Sequence, residues 1–264
     1  MQTIYLGTSW KMNKPLSEAM AYCKALAAQL PAVTHPDIQP FFIPPFTAIT
    51  PVSDFFRQHQ FPWLTGAQNM HEDVCGAWTG EISASMIAET GATLVELGHS
   101  ERRAAFNETD GAINKKVHAA LQAGLRPLVC VGDSGDEKRW GVSRETVIRQ
   151  MKIALHGLSA EQAGKTLVAY EPIWAIGVHG TPATPEEAGL IHQALFGALC
   201  DMFGEPLAQK IPLLYGGSVN ADNAVALLSQ PNVNGLFIGR SAWDAAGYCE
   251  IVRRVVQQFI HKAR

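Results

Sequence analysis

Residues 94–103 read LVELGHSERR, and residues 168–177 read VAYEPIWAIG. In each stretch a short apolar run leads directly to an ionisable side chain, His99 in the first and Glu171 in the second. A parallel β-barrel builds its active site from side chains at the C-terminal ends of its strands, just before the turns. A histidine and a glutamate at two such strand ends indicate proton-transfer chemistry.

Short apolar runs alternate with segments of helical spacing along the whole chain. Helices are predicted at residues 15–30, through Ile113, Val117, Ala120 and Leu121 with an end at Gly124, from Thr184 onward and at residues 251–260. The predicted strands are residues 4–7, 41–43, 63–67, 94–97, 127–131, 167–170, 211–215 and 236–238. Right-handed crossovers close eight such parallel units into an α/β fold, a single (β/α)8 barrel. No linker rich in serine or proline interrupts the pattern, so one domain over residues 1–264 is predicted.

An open doubly wound sheet is the alternative α/β arrangement. Such a sheet is expected to carry a G-x-G-x-x-G fingerprint after its first strand, where it binds the phosphates of a dinucleotide. The chain instead reads GTSWK at residues 7–11. The closed barrel is therefore the predicted fold.

The composition excludes several classes of partner. A formal net charge of −3 argues against nucleic acid or an anionic membrane as the main partner. The five cysteines are scattered and contain no C-x-x-C pair, which predicts reduced thiols in the cytoplasm. No basic leader begins the chain and no apolar stretch reaches the length of a bilayer, so neither a secretion signal nor a membrane anchor is expected.

Glu171 is a candidate general base. Pro172 follows it and stiffens the turn. Residues 174–176 are apolar and lie between Pro172 and Gly177, which suits a lid that closes over a site and excludes water. The alternative for Glu171 is a loop carboxylate in a solvated ion pair.

His99 and Lys11 are the second and third candidates. His99 precedes a predicted helix, whose N-terminus disfavours a positive charge, so a neutral imidazole that polarises a carbonyl is expected. Lys11 follows the first strand on the same rim and is suited to neutralising a phosphate or an oxyanion. Glu101 is placed to pair with Lys11. A structural histidine, a surface lysine and a solvated carboxylate are the alternatives.

Glycine-containing turns follow the last three predicted strands at residues 177, 216–218 and 239–241. Main-chain N–H groups in turns at these places form a phosphate site in such barrels, although Gly-Gly pairs are more often ordinary turns. Residues 71–75 read HEDVC, but they have no repeat of ligand spacing, so no metal is expected. The long connection at residues 68–80 carries Trp78, which suggests insertion into a partner subunit; a loop folded on its own barrel is the alternative.

Six blocks together resemble the triosephosphate isomerase family: WKMN at 10–13, GAQN at 66–69, GEIS at 80–83, ELGHSERR at 96–103, YEPIWAIG at 170–177 and YGGSV at 215–219. The resemblance implies a TIM barrel that needs no cofactor, with Glu171 as base, His99 as neutral electrophile and Lys11 as an electrostatic clamp partnered by Glu101. It also implies a small-molecule sugar phosphate bound by main-chain N–H groups at Gly177, Ser218, Gly239 and Arg240. A homodimer is implied as well, in which Trp78 and Thr79 of one chain lie near Lys11 of the other.

The chain departs from the family pattern around the substrate. Ser9 stands where the family carries asparagine, residues 177–183 (GVHGTPA) make a lid one residue longer than usual, and Arg240 replaces the second glycine of a Gly-Gly pair. The shorter Ser9 leaves space beside the reacting carbons, which suits a four-carbon ketose phosphate. These features resemble the subgroup called L-erythrulose-1-phosphate isomerases, which interconvert L-erythrulose 1-phosphate and D-erythrulose 4-phosphate.

Three other functions stay open at this point. One is triosephosphate isomerase activity itself, on glyceraldehyde 3-phosphate and dihydroxyacetone phosphate. Another is a barrel that binds phosphate without turnover, which Ser9 and the altered lid allow. The third is a Schiff-base aldolase that uses Lys11 as its nucleophile.

Overall fold

Eight parallel strands close into a barrel in the order of the chain, with β1 paired to β8. The structure is a computed structural model that describes residues 3–177 and 180–260. The strands are β1 Ile4–Ser9, β2 Ile38–Ile43, β3 Leu64–Ala67, β4 Leu94–Leu97, β5 Arg126–Val131, β6 Leu167–Tyr170, β7 Leu213–Tyr215 and β8 Gly235–Ile238. The predicted fold class is confirmed, and each predicted strand corresponds to one strand of the barrel.

Helices cover the outside of the barrel. They are α1 Leu16–Gln29, α2 Ile49–Gln58, α3 Ala84–Glu89, α4 Ser100–Ala105, α5 Asp110–Gln122, α6 Gly135–Trp140, α7 Ser143–Ala154, α8 Ala160–Ala163, α9 Pro185–Phe203, α10 Glu205–Ala208, α11 Ala224–Leu228 and α12 Ala245–Phe259. Thr184 caps α9 and forms a capping box with Glu187, which explains why that start was readable from the sequence. Among the described residues, no helix is both long and apolar enough to cross a bilayer.

Two boundaries differ from the prediction by several residues. The last helix begins at Ala245 rather than at residue 251, because the Asp244 side chain accepts a hydrogen bond from the Gly247 N–H and caps an earlier turn. Strand β2 begins at Ile38 rather than at residue 41, because Ile38 to Pro40 pair with Ile4 to Leu6 of β1. The predicted strand covered only the continuous apolar run at residues 41–43.

The strands carry two separate cores, one on each side of the barrel wall. The larger core lies between the strands and the helices. The smaller core fills the barrel interior with apolar side chains from alternate strand positions: Phe41, Ile43, Leu94, Leu128, Cys130, Leu167, Ala169, Leu214 and Phe237. The next inward positions toward the C-terminal ends of β4, β6 and β7 are Glu96, Glu171 and Gly216, so the interior core forms the floor beneath these residues.

Candidate active site

A cavity of about 680 Å³ opens at the C-terminal ends of the strands. Its lining includes every residue proposed from the sequence to act in catalysis or substrate binding: Ser9, Lys11, His99, Glu101, Glu171, Gly177, Ser218, Gly239 and Arg240. Trp78 and Thr79 are not among the lining residues. The structure therefore brings the substrate-site candidates to one place and leaves the two residues expected at a subunit interface outside it.

Glu171 directly follows β6, and its side chain is buried at the cavity wall. Gly216 makes room for it, since a Cβ at that position would come within 2.6 Å of Glu171 Cγ. Burial is the main cause that raises the pKa of Glu171 to about 8, and the negative charge of Glu96 adds to it while Lys11 acts in the opposite direction. A carboxylate with such a pKa is a far stronger base than one in water.

His99 lies at the N-terminus of α4, and its Nδ1 accepts a hydrogen bond from the Glu101 N–H at 3.1 Å. The proton of the neutral ring therefore sits on Nε2, which is 3.5 Å from Glu171 Oε2. Burial, followed by the charge of Lys11, lowers the pKa of His99 to about 4. The neutral imidazole agrees with the expectation, although the main cause is burial rather than the helix terminus on which the expectation rested.

Lys11 follows β1, lines the same cavity as His99 and is held by two contacts. Its ammonium donates to Glu101 Oε1 at 2.6 Å, as the sequence suggested. Its carbonyl accepts from Gln68 Nε2 at 2.8 Å. The backbone of Lys11 is left-handed, with φ of 52°, a conformation that costs a non-glycine residue roughly 1 kcal/mol or more. Because the ion pair is partly exposed, its main effect is to orient the ammonium rather than to stabilise the fold.

The turns proposed to hold a phosphate follow β6, β7 and β8. Gly177, Ser218, Gly239 and Arg240 all line it. The side chain of Arg240 also donates to the Gly177 carbonyl at 2.8 Å, a contact that the sequence did not indicate. This contact joins the turn after β8 to the start of the lid.

The base of the lid is anchored to a residue that the sequence analysis did not identify. Asp133, fully buried after β5, accepts hydrogen bonds from the Tyr170 hydroxyl at 2.9 Å and from Trp174 Nε1 at 3.1 Å. Trp174 belongs to a 3₁₀ turn at Ile173–Ala175. Of the lid segment at residues 177–183, residues 178 and 179 lie outside the described residues.

Glu96 is a second residue that the sequence analysis missed. It lies within β4, is buried and lines the cavity. Burial raises the pKa of its carboxyl group to about 7, while a side-chain hydrogen bond from Ser9 and the charge of Lys11 act in the opposite direction. The sequence does contain a signal for this position. Side chains alternate along a strand, so Glu96 lies on the same face of β4 as Leu94, which belongs to the interior core.

The loop after β3 folds partly on itself. Trp78 Nε1 donates to Asp73 Oδ2 at 2.8 Å, and the indole packs on the His71 ring at 4.6 Å. Trp78 nevertheless stays half exposed, and Val74 on the same loop is 71% exposed. In the described part of the chain, no group of three or more histidine, cysteine, aspartate or glutamate side chains is arranged to hold a metal ion.

Known proteins resemble the chain along nearly its whole length. A sequence profile described as triosephosphate isomerase matches residues 4–255. A protein of Mycolicibacterium smegmatis named L-erythrulose-1-phosphate isomerase is 47% identical over 249 residues, which cover 94% of this chain and 92% of the relative. A protein of Rhizobium meliloti with the same name is 46% identical and covers 96% and 97%. The crystal structure of triosephosphate isomerase from Bartonella henselae superposes with a TM-score of 0.84 at 34% identity, covering 95% and 98%.

We predict that Glu171→Gln stabilises the protein increasingly as the pH rises. A carboxyl group with a pKa near 8 when folded and near 4.5 when unfolded binds a proton only in the folded state between these values, so its contribution to stability is lost as the pH climbs from 4.5 to 8. The amide has no such dependence. The free energy of unfolding, measured with urea, should favour the variant by roughly 3 kcal/mol more at pH 8.5 than at pH 5.

The exposed substitution Gln58→Ala, which changes no ionisable group, is the control and should leave the pH dependence of stability unchanged. Parallel stability curves for wild type and Glu171→Gln between pH 5 and pH 8.5 would show that the Glu171 carboxyl group is already ionised at pH 5. That outcome would contradict its burial as the cause of a raised pKa.

Proposed function

The chain belongs to the triosephosphate isomerase family, and we propose that it interconverts L-erythrulose 1-phosphate and D-erythrulose 4-phosphate. The observation that carries the chemistry is the meeting of a buried carboxyl group, a neutral imidazole and an ammonium group in one cavity. The choice of a four-carbon substrate is supported by the names of relatives that are 44–47% identical over nearly the whole chain.

The reaction needs one proton to move between adjacent carbons. The Glu171 carboxylate removes a proton from the carbon beside the carbonyl, while His99 Nε2–H donates a hydrogen bond to the carbonyl oxygen. The negative charge that develops on oxygen is stabilised by the Lys11 ammonium. Glu171 then returns a proton to the former carbonyl carbon of the enediol, and the carbonyl group has moved by one position. The hydroxyl proton passes to the former carbonyl oxygen through His99. One C–H and one O–H bond therefore break and one of each forms, so no oxidant or reductant is consumed.

The phosphate is bound at the turns after β6, β7 and β8. Gly177, Ser218, Gly239 and Arg240 line the cavity, and main-chain N–H groups in such turns favour an anion. Binding energy from this remote group holds the reacting carbons between Glu171 and His99. The apolar lid base at Ile173–Ala175 limits water at the reacting carbons, which protects the enediol from side reactions.

Triosephosphate isomerase activity is the second candidate. It is favoured by the superposition on a solved triosephosphate isomerase. The two reactions share the same base and the same kind of intermediate, because a tetrulose 1-phosphate is dihydroxyacetone phosphate with a hydroxymethyl group in place of one hydrogen on the reacting carbon. The choice between them depends on the space near Ser9, a small buried side chain in the cavity wall.

We predict a higher kcat/KM for L-erythrulose 1-phosphate than for glyceraldehyde 3-phosphate by about tenfold or more, measured side by side with one enzyme preparation. An additional hydroxymethyl group that fills a matching part of the cavity raises kcat/KM by about tenfold. Efficient turnover of the triose phosphate without tetrulose activity would contradict the proposed substrate. The absence of turnover on either substrate would favour a barrel that only binds phosphate.

We further propose that the protein is a homodimer in the reducing cytoplasm. The loop at residues 68–80 exposes Trp78 and Val74, and Met12, next to Lys11, is 97% exposed. Large apolar side chains exposed on one rim favour burial against a second copy. The five cysteines are unpaired, which suits a reducing compartment.

Analytical ultracentrifugation tests the dimer, and we expect wild-type protein to sediment at twice the chain mass. Trp78→Glu would bury a charge at the interface, so its dimer dissociation constant should be at least about tenfold higher than that of wild type. Trp140→Glu is the matched control, since Trp140 is 69% exposed, against 52% for Trp78, but belongs to α6 rather than to the loop. A monomeric wild type, or equal dissociation of both variants, would contradict the proposed interface.

A further inference from the structure

Glu96 is a carboxyl group directly above the apolar interior core of the barrel. All four residues of β4 are buried, and Leu94 belongs to the interior core. Because strand side chains alternate, Glu96 faces the same interior one layer nearer the mouth, where it lines the cavity. The residues of the interior core beneath it are apolar. A carboxyl group at this depth costs free energy that an apolar side chain of the same size would not.

The carboxyl group of Glu96 is also incompletely satisfied. Its Oε2 is buried and has no hydrogen-bond partner among the described residues. Ser9, the last residue of β1, provides a side-chain hydrogen bond to the group. Buried carboxylate oxygens nearly always have a donor, so an unpartnered one in a cavity wall indicates a donor on the ligand.

The position of Glu96 identifies the part of the ligand that it faces. The turns proposed to bind phosphate follow β6, β7 and β8, whereas Glu96 comes from β4, which lies opposite β8 in the closed barrel. With the phosphate at those turns and the reacting carbons beside Glu171 and His99, the end of the ligand remote from the phosphate extends toward Ser9 and Glu96. That end carries the hydroxymethyl group that a tetrulose phosphate has and a triose phosphate lacks.

We propose that Glu96 is the residue that selects the four-carbon substrate, by accepting a hydrogen bond from the terminal hydroxyl remote from the phosphate. This inference rests on the proposed function. A hydroxyl that donates to a buried carboxylate makes a charge-assisted hydrogen bond. A triose phosphate leaves Oε2 without a donor, and a site with an unpaired buried polar group discriminates strongly against the ligand that fails to satisfy it.

A second role of Glu96 has to be separated from this one. Its negative charge raises the pKa of Glu171, so any substitution also changes the strength of the base. That effect acts on every substrate alike, because all of them lose their proton to Glu171. The selective loss of one substrate is therefore the signature of direct contact.

The test uses Glu96→Met, which keeps the length of the side chain and removes its hydrogen-bonding atoms, and Glu96→Gln, which keeps its shape. Wild type and both variants are assayed on L-erythrulose 1-phosphate and on its analogue with a terminal methyl in place of the hydroxymethyl group. We expect Glu96→Met to lower kcat/KM for L-erythrulose 1-phosphate about 30-fold or more, and for the analogue less than about threefold. Glu96→Gln should show the same selectivity at roughly tenfold, and it serves alone if the methionine variant does not fold. Leu94→Met, on the same face of β4, is the control and should leave the ratio between the two substrates unchanged.

Equal losses on both four-carbon compounds, or no loss on either, would overturn the role of Glu96 while leaving the proposed function intact. A wild-type enzyme that turns over glyceraldehyde 3-phosphate but not L-erythrulose 1-phosphate would instead contradict the proposed function itself. The wild-type assay thus distinguishes the two failures.

Discussion

The burial of the Glu171 carboxyl group at the mouth of the barrel is the constraint on which the rest of the site depends. Its neighbours are small enough to let it lie there. Gly216 faces the side chain, and a Cβ at Gly132 would come within 2.1 Å of the Glu171 carbonyl oxygen. The Glu171 N–H donates to the Val131 carbonyl at 2.8 Å, which continues the barrel pairing one residue beyond β6. The backbone of a rigid barrel therefore fixes the position of the proposed base, and burial raises the pKa of its carboxyl group to about 8.

The other charges of the site are arranged around this one. His99 stays neutral because it is buried and because Lys11 lies close to it, so the ring offers a hydrogen bond to a carbonyl without becoming a competing cation. Lys11 is the cation near both groups, and Glu101 orients it from the rim. Since Glu101 also donates its backbone N–H to His99 Nδ1, one residue fixes both the direction of the ammonium and the tautomer of the imidazole. The carboxylate, the neutral ring and the ammonium thus occupy one cavity without neutralising one another.

Much of this arrangement was readable from the sequence because each of its main groups follows directly on a strand. Lys11, His99 and Glu171 come one to two residues after β1, β4 and β6, and closing the barrel in chain order brings those ends together. The contacts that the sequence did not predict depend on how the ends of neighbouring strands pack side by side. Asp133 meets Tyr170 and Trp174 only because the ends of β5 and β6 are adjacent, and the contact from Arg240 to Gly177 joins turns that are far apart in the chain. Glu96 was overlooked because it lies within a strand, where burial of a charge is unusual and alternation alone indicates which face it occupies.

We propose that Glu171 carries a proton between two carbons of the bound sugar phosphate. This proposal is tested most directly by following L-erythrulose 1-phosphate with the enzyme in D₂O by proton NMR, for wild type and for Glu171→Gln at equal concentration. We expect wild-type enzyme to introduce deuterium at the carbon beside the carbonyl, and the variant to slow this uptake by at least about a thousandfold. Deuterium uptake at the wild-type rate in Glu171→Gln would contradict the account.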